Sequence, residues 1–457
     1  MSSLEKNMLA IDIGAGSGRF VLGQWSRGEL SLTEIGRFQH SDCIINGMIY
    51  WNLPEIYNHV LTGIRKARAC VPHLDSIGID TFSPDFACFS SDGQLLGNML
   101  SYNNFQDARF LESITRSVSP QEFWEICGNG LMPFCLLPQL MYLQEQEIYS
   151  HKQDICVLPL GNALEYLLCG VAHTDFTQVS TSMLNDRFSG GWNDALVEQF
   201  VRKPFRLPQI LPCATALGKL RIDGTKTETL VINVGSHDTA CANSLIAEAA
   251  GSELAINAGT WISVGTLSKL PVVNQQMVSA GLNNYGLPSG ENLVCKLFAG
   301  MGLVRRLKEY AESANLPCTY EELACAAESS DFRACFDPLD PDIFSKEYPF
   351  SDIVRGIMRR QGLPVPDRFV DVARCVYESL IASINNIADK VALSTDRRFQ
   401  KIFLGGGGVQ DHFFLRLLEE RSGKTVVKMP AESTAIANLY TQLRGLGIDP
   451  RDVECPK

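Results

Sequence analysis

The sequence predicts an α/β protein built as two related domains flanking a central cleft. A chain of 457 residues is longer than one ordinary core can fill, which points to two domains. A strand, small-residue turn, strand unit opens at Met8 and recurs at Ser252, as two related halves would require. A third unit, made of a strand, four glycines and a helix, runs from Lys401 to Arg421. These units put the boundary between about residues 240 and 250, giving a first domain of 1–245 and a second of 246–457.

Composition narrows the class. With 45% apolar and 20% charged residues the chain has the make-up of a soluble globular protein with ample core material. A net charge of −11 argues against nucleic acid as a partner, because phosphate backbones select clustered Lys and Arg. No window approaches the run of about 18 apolar residues that a spanning helix needs, so no membrane partner is expected. The start, Met-Ser-Ser-Leu-Glu-Lys-Asn, shows no apolar stretch behind basic residues and no signal peptide is apparent. Fifteen cysteines without a Cys-x-x-Cys pair fit free thiols in a reducing compartment, and the expected location is cytoplasmic.

In the first half, Met8 to Ile13 is an apolar strand interrupted by Asp12. It empties into Gly14-Ala-Gly-Ser-Gly-Arg19, after which Phe20 to Trp25 and Leu30 to Ile35 read as two further strands. No helix follows these glycines, so neither the Rossmann fingerprint nor the P-loop is met. The turn suits either a plain β-hairpin or a hairpin whose successive N–H groups face an anion. Leu53 to Ala69 places Ile56, Val60, Ile64 and Ala67 on one helical face. Asp75 to Asp80 is a buried strand ending in acid, and Asp85 follows where ligand-facing residues of α/β sheets collect. Phe86 to Ser90 is a short strand, and residues 107 to 170 read as largely helical.

At mid-chain, the strand Thr229 to Val234 leads into Gly235-Ser-His-Asp-Thr-Ala240 and an alanine-rich helix. Asp238 there has two readings. It is a helix cap that satisfies free backbone N–H groups, or, with His237 and Thr239 beside it, a carboxylate placed to take a proton from a bound hydroxyl.

The second half repeats the opening pattern with strand Ser252 to Asn257, turn Ala258-Gly-Thr260 and strand Trp261 to Gly265. Val370 to Ala392 is a long apolar-faced helix. Lys401 to Leu404 is a strand ending in Gly405 to Gly408, with a helix from Phe413 to Arg421 behind it. These glycines either let the backbone press against a ring or a phosphate or form an unliganded turn. Thr425 to Met429 is a last strand, and Ala431 to Asn438 opens a final helix.

Taken in order, Asp12, the glycine turns, the Asp238 turn and the tetraglycine resemble the actin-like ATPase domains, which share a ribonuclease H-like fold. The resemblance sharpens to the FGGY carbohydrate kinases and their rhamnulokinase-like members. It rests on Asp12 to Arg19, on Asp75 to Thr81 with Asp85-Phe86, and on Ser236-His-Asp-Thr-Ala240. It continues through Gly259-Thr-Trp261, Met301-Gly-Leu303, Gly406-Gly-Gly-Val-Gln410, Glu432 and Asn438, from about residue 8 to 443.

The resemblance implies a role for each position. Ala15, Gly16, Ser17, Gly18 and Arg19 would lie along the phosphates of ATP, and Asp12 would hold Mg²⁺ through water. Asp238 would be the catalytic base that takes the proton of the sugar hydroxyl, with Ser83, Asp85, His237 and Thr239 around the sugar. Thr260 would touch the phosphates, and Gly406 and Gly407 would lie against the nucleotide. The first domain would carry the sugar site and base, and the second the nucleotide. Phosphoryl transfer asks for this kind of positioning and charge neutralisation more than for covalent chemistry. The implied reaction is ATP-dependent phosphorylation of a ketose at its terminal hydroxyl, L-rhamnulose to L-rhamnulose 1-phosphate, by a monomer or homodimer. L-fuculose, ribulose or xylulose are the alternative acceptors, and a nucleotide-gated switch or degenerate sugar-binding regulator is the alternative class.

The chain departs from the family pattern at several positions. Ser83 stands for a glycine, Tyr102-Asn-Asn-Phe-Gln106 for Tyr-Arg-Asp-x-Arg, and Gly161-Asn-Ala163 for Pro-Asp-Tyr. Ala299 and Leu307 replace an Asn and a Gln expected near the nucleotide, and Ala437 a glycine. Trp51 reads as a wall of the sugar pocket or as core. His40, His59, His73, His151, His173 and His412 read as surface or helix residues, none at metal-ligand spacing.

Overall fold

A computed structural model of the protein describes residues 5–105, 109–146, 149, 151–316, 318–345 and 347–449. Gln106 lies outside the described residues. Two six-stranded sheets form the frame. The first contains β1 (Lys6–Ile13), β2 (Ser17–Ser26), β3 (Glu29–Gln39), β4 (Ser76–Thr81), β5 (Ala216–Ile222) and β6 (Thr225–Ile232), in the order β5-β6-β4-β1-β2-β3. The second contains β7 (Leu254–Ala258), β8 (Trp261–Ser268), β9 (Asn283–Gly286), β10 (Asn292–Ala299), β11 (Lys401–Gly405) and β12 (Thr425–Lys428), in the order β9-β10-β8-β7-β11-β12.

Five strands of each sheet share one topology. An antiparallel run, β3-β2-β1 in the first sheet and β10-β8-β7 in the second, is followed by two parallel strands, β4 and β6 or β11 and β12. The fold is thus two actin-like α/β domains, the duplication that the repeated turn units predict. The glycine turn at 14–16 joins β1 to β2 as a hairpin with no helix behind it.

Helix α1 (Leu53–Cys70) crosses from β3 to β4. Asn52 caps it by accepting from Glu55 N, and Leu53, Ile56, Val60, Ile64 and Ala67 form its buried stripe. Gly63 is on that stripe because a Cβ there would lie 2.3 Å from the Phe20 ring. Helix α2 (Leu160–Cys169) and a small sheet that includes Phe86–Ser90 and Ile155–Pro159 complete the first domain. The strand at Ile155–Pro159 interrupts a segment expected to be helical; five apolar residues in a row do not separate strand from helix. A hairpin at 42–51 and the pair β9 and β10 carry no clear sequence pattern, being short or amphipathically weak.

In the second domain the long helix α4 (Phe369–Thr395) buries Val372, Val376, Leu380, Ile384, Ile387 and Val391 in the largest core cluster. Each fully buried aliphatic side chain contributes roughly 1.5–3 kcal/mol of transfer free energy. Two further helices are exchanged between the domains. Helix α3 (Asp238–Ala250) follows the first sheet in sequence, yet it buries Ile246, Ala247 and Ala250 against Ala255, Leu293 and Cys295 of the second. Helix α5 (Ser433–Gly445) ends the second domain, yet its Ala435, Leu439 and Leu443 pack on Met8, Ala10 and Val21 of the first. Gln442 Nε2 donates to Leu9 O at 3.1 Å, which ties α5 to β1.

All fourteen cysteines among the described residues are free thiols. No helix among the described residues is long and apolar enough to cross a membrane. Two histidines differ from expectation: His40 and His173 are 7% and 0% exposed, interior residues rather than surface ones.

Candidate active site

Beyond β6 the chain turns through Asn233 to His237, and Thr81 at the end of β4 forms a bridge with His237. Gly235 holds φ of 88°, and a Cβ there would meet Pro288 Cγ at 2.8 Å. His237 occupies the N-cap position of α3 without capping it through its side chain, and Asp238 is the first helical residue. Asp238 is therefore not the N-cap residue itself, but its Oδ1 accepts from a free first-turn backbone N–H, that of the adjacent Thr239, and at 3.1 Å from the Thr239 hydroxyl.

A quarter of the Asp238 side chain remains open. Burial, and then the charge of Asp12, raise its pKa to about 7, against the opposing pull of the Thr239 hydrogen bonds. His237 lies 3.8 Å away through Nε2 and moves the other way, burial lowering it to about 4. It is a neutral imidazole at neutral pH, and its Nδ1 is buried with no partner among the described residues.

Asp12 stands at the end of β1, in register with Arg19 on β2 and Asp80 on β4. Arg19 Nε donates to Asp12 Oδ2 at 2.8 Å, and its Nη1 pairs with Glu432, which precedes α5. One guanidinium thus joins the first turn to the second domain. Burial opposes the charge on Arg19, but Asp12 and Glu432 outweigh it and raise its pKa. Asp80 is fully buried, and burial followed by Asp12 pushes its pKa well up. Asn438 of α5 donates to Asp80 Oδ2 at 2.6 Å, while Asp80 Oδ1 has no partner among the described residues. Asp80 and Glu432 are the members of this group that had no role assigned from sequence; an acid closing a strand next to Asp12's strand was the available signal.

Among the described residues no three His, Cys, Asp or Glu side chains are grouped as metal ligands. Asp12, with one oxygen turned to Arg19, and the unpartnered Asp80 Oδ1 still suit Mg²⁺, which takes one or two carboxylates and keeps several waters.

Ala15, Gly16 and Ser17 form the exposed tip of the first turn. Gly18 is buried because a Cβ would lie 2.2 Å from the Phe38 ring, so packing demands this glycine. In the second domain Thr260 O accepts from Gly300 N at 2.9 Å and Gly302 N at 3.2 Å, which fixes the exposed turn between β7 and β8. The tetraglycine lies beside that turn. Gly406 holds φ of 79°, and a Cβ there would lie 2.5 Å from Asn257 Oδ1. Gly405 and Gly408 press on Ile246 and Ala258, whereas Gly407 alone of the four faces open space.

Ser83 and Asp85 occupy the loop after β4. Ser83 Oγ donates to Gln178 Oε1 at 2.8 Å, and Gln178 Nε2 donates to Ser236 O at 3.0 Å, so this loop is linked to the one bearing Asp238. Asp85 is fully buried, with its two oxygens taken by Trp51 Nε1 and, at 2.9 Å, Gln139 Nε2. Burial raises its pKa to about 7 despite these bonds. Trp51 is 3% exposed within a group of rings from His40, Phe82 and Tyr102. Leu307, Ala299 and Ala437 are core residues at 0%, 4% and 3% exposure.

Two family descriptions match the chain: the FGGY family of carbohydrate kinases, N-terminal domain, over residues 7–244, and its C-terminal domain over residues 254–445. A protein named rhamnulokinase from Bacteroides thetaiotaomicron is 27% identical over 450 residues, covering 97% of this chain and 92% of that relative. One from Oceanobacillus iheyensis is 25% identical over 441 residues, covering 96% and 93%. Among solved structures, a ligand-bound xylulose kinase from Lactobacillus acidophilus superposes with a TM-score of 0.77 at 16% identity, covering 97% of this chain and 90% of that one. A glycerol kinase from Plasmodium falciparum with ADP gives 0.76 at 13% identity with coverage of 97% and 90%.

Proposed function

We propose that this chain, which belongs to the FGGY family of carbohydrate kinases, transfers the γ-phosphoryl group of ATP to the terminal hydroxyl of a ketose. L-Rhamnulose is the acceptor and L-rhamnulose 1-phosphate the product. The relatives named rhamnulokinase support that choice. The observation that carries the reaction is Asp238, partly open and poised with a pKa of about 7, where a general base at neutral pH works best.

Asp238 takes the proton from the sugar hydroxyl as that oxygen forms its bond to the γ-phosphorus. The bond from the γ-phosphorus to the bridging oxygen breaks, and ADP leaves. His237 stays neutral beside it, so it does not compete for the proton, and its unpartnered Nδ1 is available to a sugar hydroxyl. Thr239 holds the base through its two hydrogen bonds. The exposed tip Ala15 to Ser17, with Gly18 and Arg19 behind it, lines the phosphates. Thr260, Gly406 and Gly407 form the nucleotide side, with Gly407 as the open point of approach. Asp12, with Asp80 next to it, would hold Mg²⁺, which when bound would supply charge neutralisation at the phosphates. Residues 1–245 carry the acceptor and base, and 246–457 the nucleotide.

A different ketose acceptor, L-fuculose, ribulose or xylulose, is the second reading. It is favoured by the Ser83–Gln178 bond, which a glycine at 83 could not make, and by Asn103 and Asn104 in place of charged residues. A coupled assay of ATP consumption over a panel of ketoses decides. Strong stimulation by L-rhamnulose is expected, stimulation by another ketose alone selects the second reading, and ATP hydrolysis indifferent to every ketose overturns both.

A further inference from the structure

A buried polar cluster stands behind the loop that bears Asp238. Asn162 and Glu165 of α2, with His173 and Asp175, are all 0% exposed. His173 Nε2 lies 3.2 Å from Glu165 Oε2. Burial opposes charge on His173, but the hydrogen bond and charge of Glu165, aided by Asp175, raise its pKa. The Asn162 amide donates to Glu165 Oε2 at 3.3 Å and Asp175 Oδ2 at 3.4 Å. Its carbonyl accepts from Thr174 Oγ1 at 3.0 Å and Ser236 Oγ at 3.1 Å.

Asp175 is where this cluster meets the loop. Its Oδ2 accepts from Ser236 N at 3.0 Å and Ser236 Oγ at 2.6 Å. Its Oδ1 accepts from Thr177 N at 2.9 Å and from Thr177 Oγ1. Thr177 Oγ1 accepts in turn from His237 N at 3.2 Å. Both amides immediately before Asp238 therefore end on Asp175, one directly and one through Thr177. Gly161 brings α2 close enough for this, since a Cβ there would lie 2.8 Å from Ser236 Cβ.

Stability is a weak reason for such a cluster, because apolar side chains of similar volume often replace a buried ion pair without loss. Fixed geometry is a stronger one. Glu165 Oε1 has no partner among the described residues, but both oxygens of Asp175 are bonded. Satisfied buried hydrogen bonds hold their members in one arrangement, and a misplacement of about 1 Å can cost roughly 10²-fold in rate.

We propose that Asp175 is a positioning residue for Asp238: through Ser236 N and Thr177 it fixes the peptide planes that aim the base, and Asn162, Glu165 and His173 fix Asp175. The proposal rests on Asp238 being the base.

Steady-state kinetics on the full chain with L-rhamnulose, or with whichever ketose stimulates most, provide the test. Thr177→Val keeps the shape and removes the acceptor for His237 N, while Thr177→Ser keeps the acceptor. The kcat of Thr177→Val should fall by about tenfold or more, with KM for sugar and ATP within about twofold, and Thr177→Ser should restore it. Asp175→Asn should lose more; if it does not fold, the Thr177 pair still decides. Unchanged kcat in Thr177→Val, or equal losses in the Val and Ser variants, overturns the proposal. Asp238→Asn is measured alongside. Normal turnover there overturns the base assignment itself, whereas an inactive Asp238→Asn beside a normal Thr177→Val overturns the positioning role alone.

Discussion

Asp12 and Asp80 are register partners on adjacent parallel strands, so two carboxylates leave the same end of the first sheet, and Arg19 bonds only the first. Asp80 responds with a pKa pushed well up by burial and then by Asp12. A carboxyl whose folded pKa is raised destabilises progressively as pH climbs from its unfolded value toward the folded one. Asp80→Asn mimics the protonated form and keeps an oxygen for Asn438. It should melt at or above the native temperature at pH 8, and the difference should shrink toward pH 4. Thermal melts at the two pH values check this.

Asp238→Asn should retain the fold and sugar binding while kcat falls by about 10²–10⁴-fold, the usual contribution of a general base. Calorimetric titration with the sugar and a coupled assay measure the two parts.

The pH profile follows from the same group. Since Asp238 must be deprotonated to accept a proton and its pKa is about 7, kcat/KM should fall about tenfold per unit below that pH. Asp85 also titrates near 7 but is sealed by Trp51 and Gln139, so the acid limb should persist in Asp85→Asn. A limb lost from that variant would assign the titration to Asp85.

The two partners of Arg19 should be unequal. Asp12 and Arg19 side chains are 15% and 17% exposed, whereas Glu432 is 46% exposed. Arg19→Met leaves the Asp12 carboxylate without its bonded partner and should cost about 3 kcal/mol or more. Glu432→Gln should cost under about 1 kcal/mol. Denaturant unfolding of the two variants compares them.

Leu439 packs in the cluster that joins α5 to Met8, Ala10 and Val21, and lies against Gly23. Leu439→Ala should cost about 2–5 kcal/mol, the range for an aliphatic cavity. The same unfolding measurement reads it.

Much of this was legible in the sequence because the strands leading to Asp12, Asp80 and Asp238 are short apolar runs that end in acid at a turn. The repeat of Met8 to Trp25 at Ser252 to Gly265 exposed the duplication for the same reason: local pattern encodes local structure. What escaped notice is long-range. Nothing near His173 announces that it is buried against Glu165, since a lone histidine reads alike inside and outside. Gly18, Gly405 and Gly408 also make room for Phe38, Ile246 and Ala258, neighbours far away in sequence. Gly161 and Asn162, met as departures from a family pattern, acquire a reason only once Ser236 is seen against them.

The exchange of α3 and α5 has a consequence for how the chain comes to be made. The first sheet leaves the ribosome well before α5, the helix that covers Met8, Ala10 and Val21. Until then that face stays bare, and Asp80 lacks the amide of Asn438. A product truncated before α5 cannot seal even the first sheet it contains in full, so synthesis through α5 is itself a condition for Met8, Ala10 and Val21 to become a finished core.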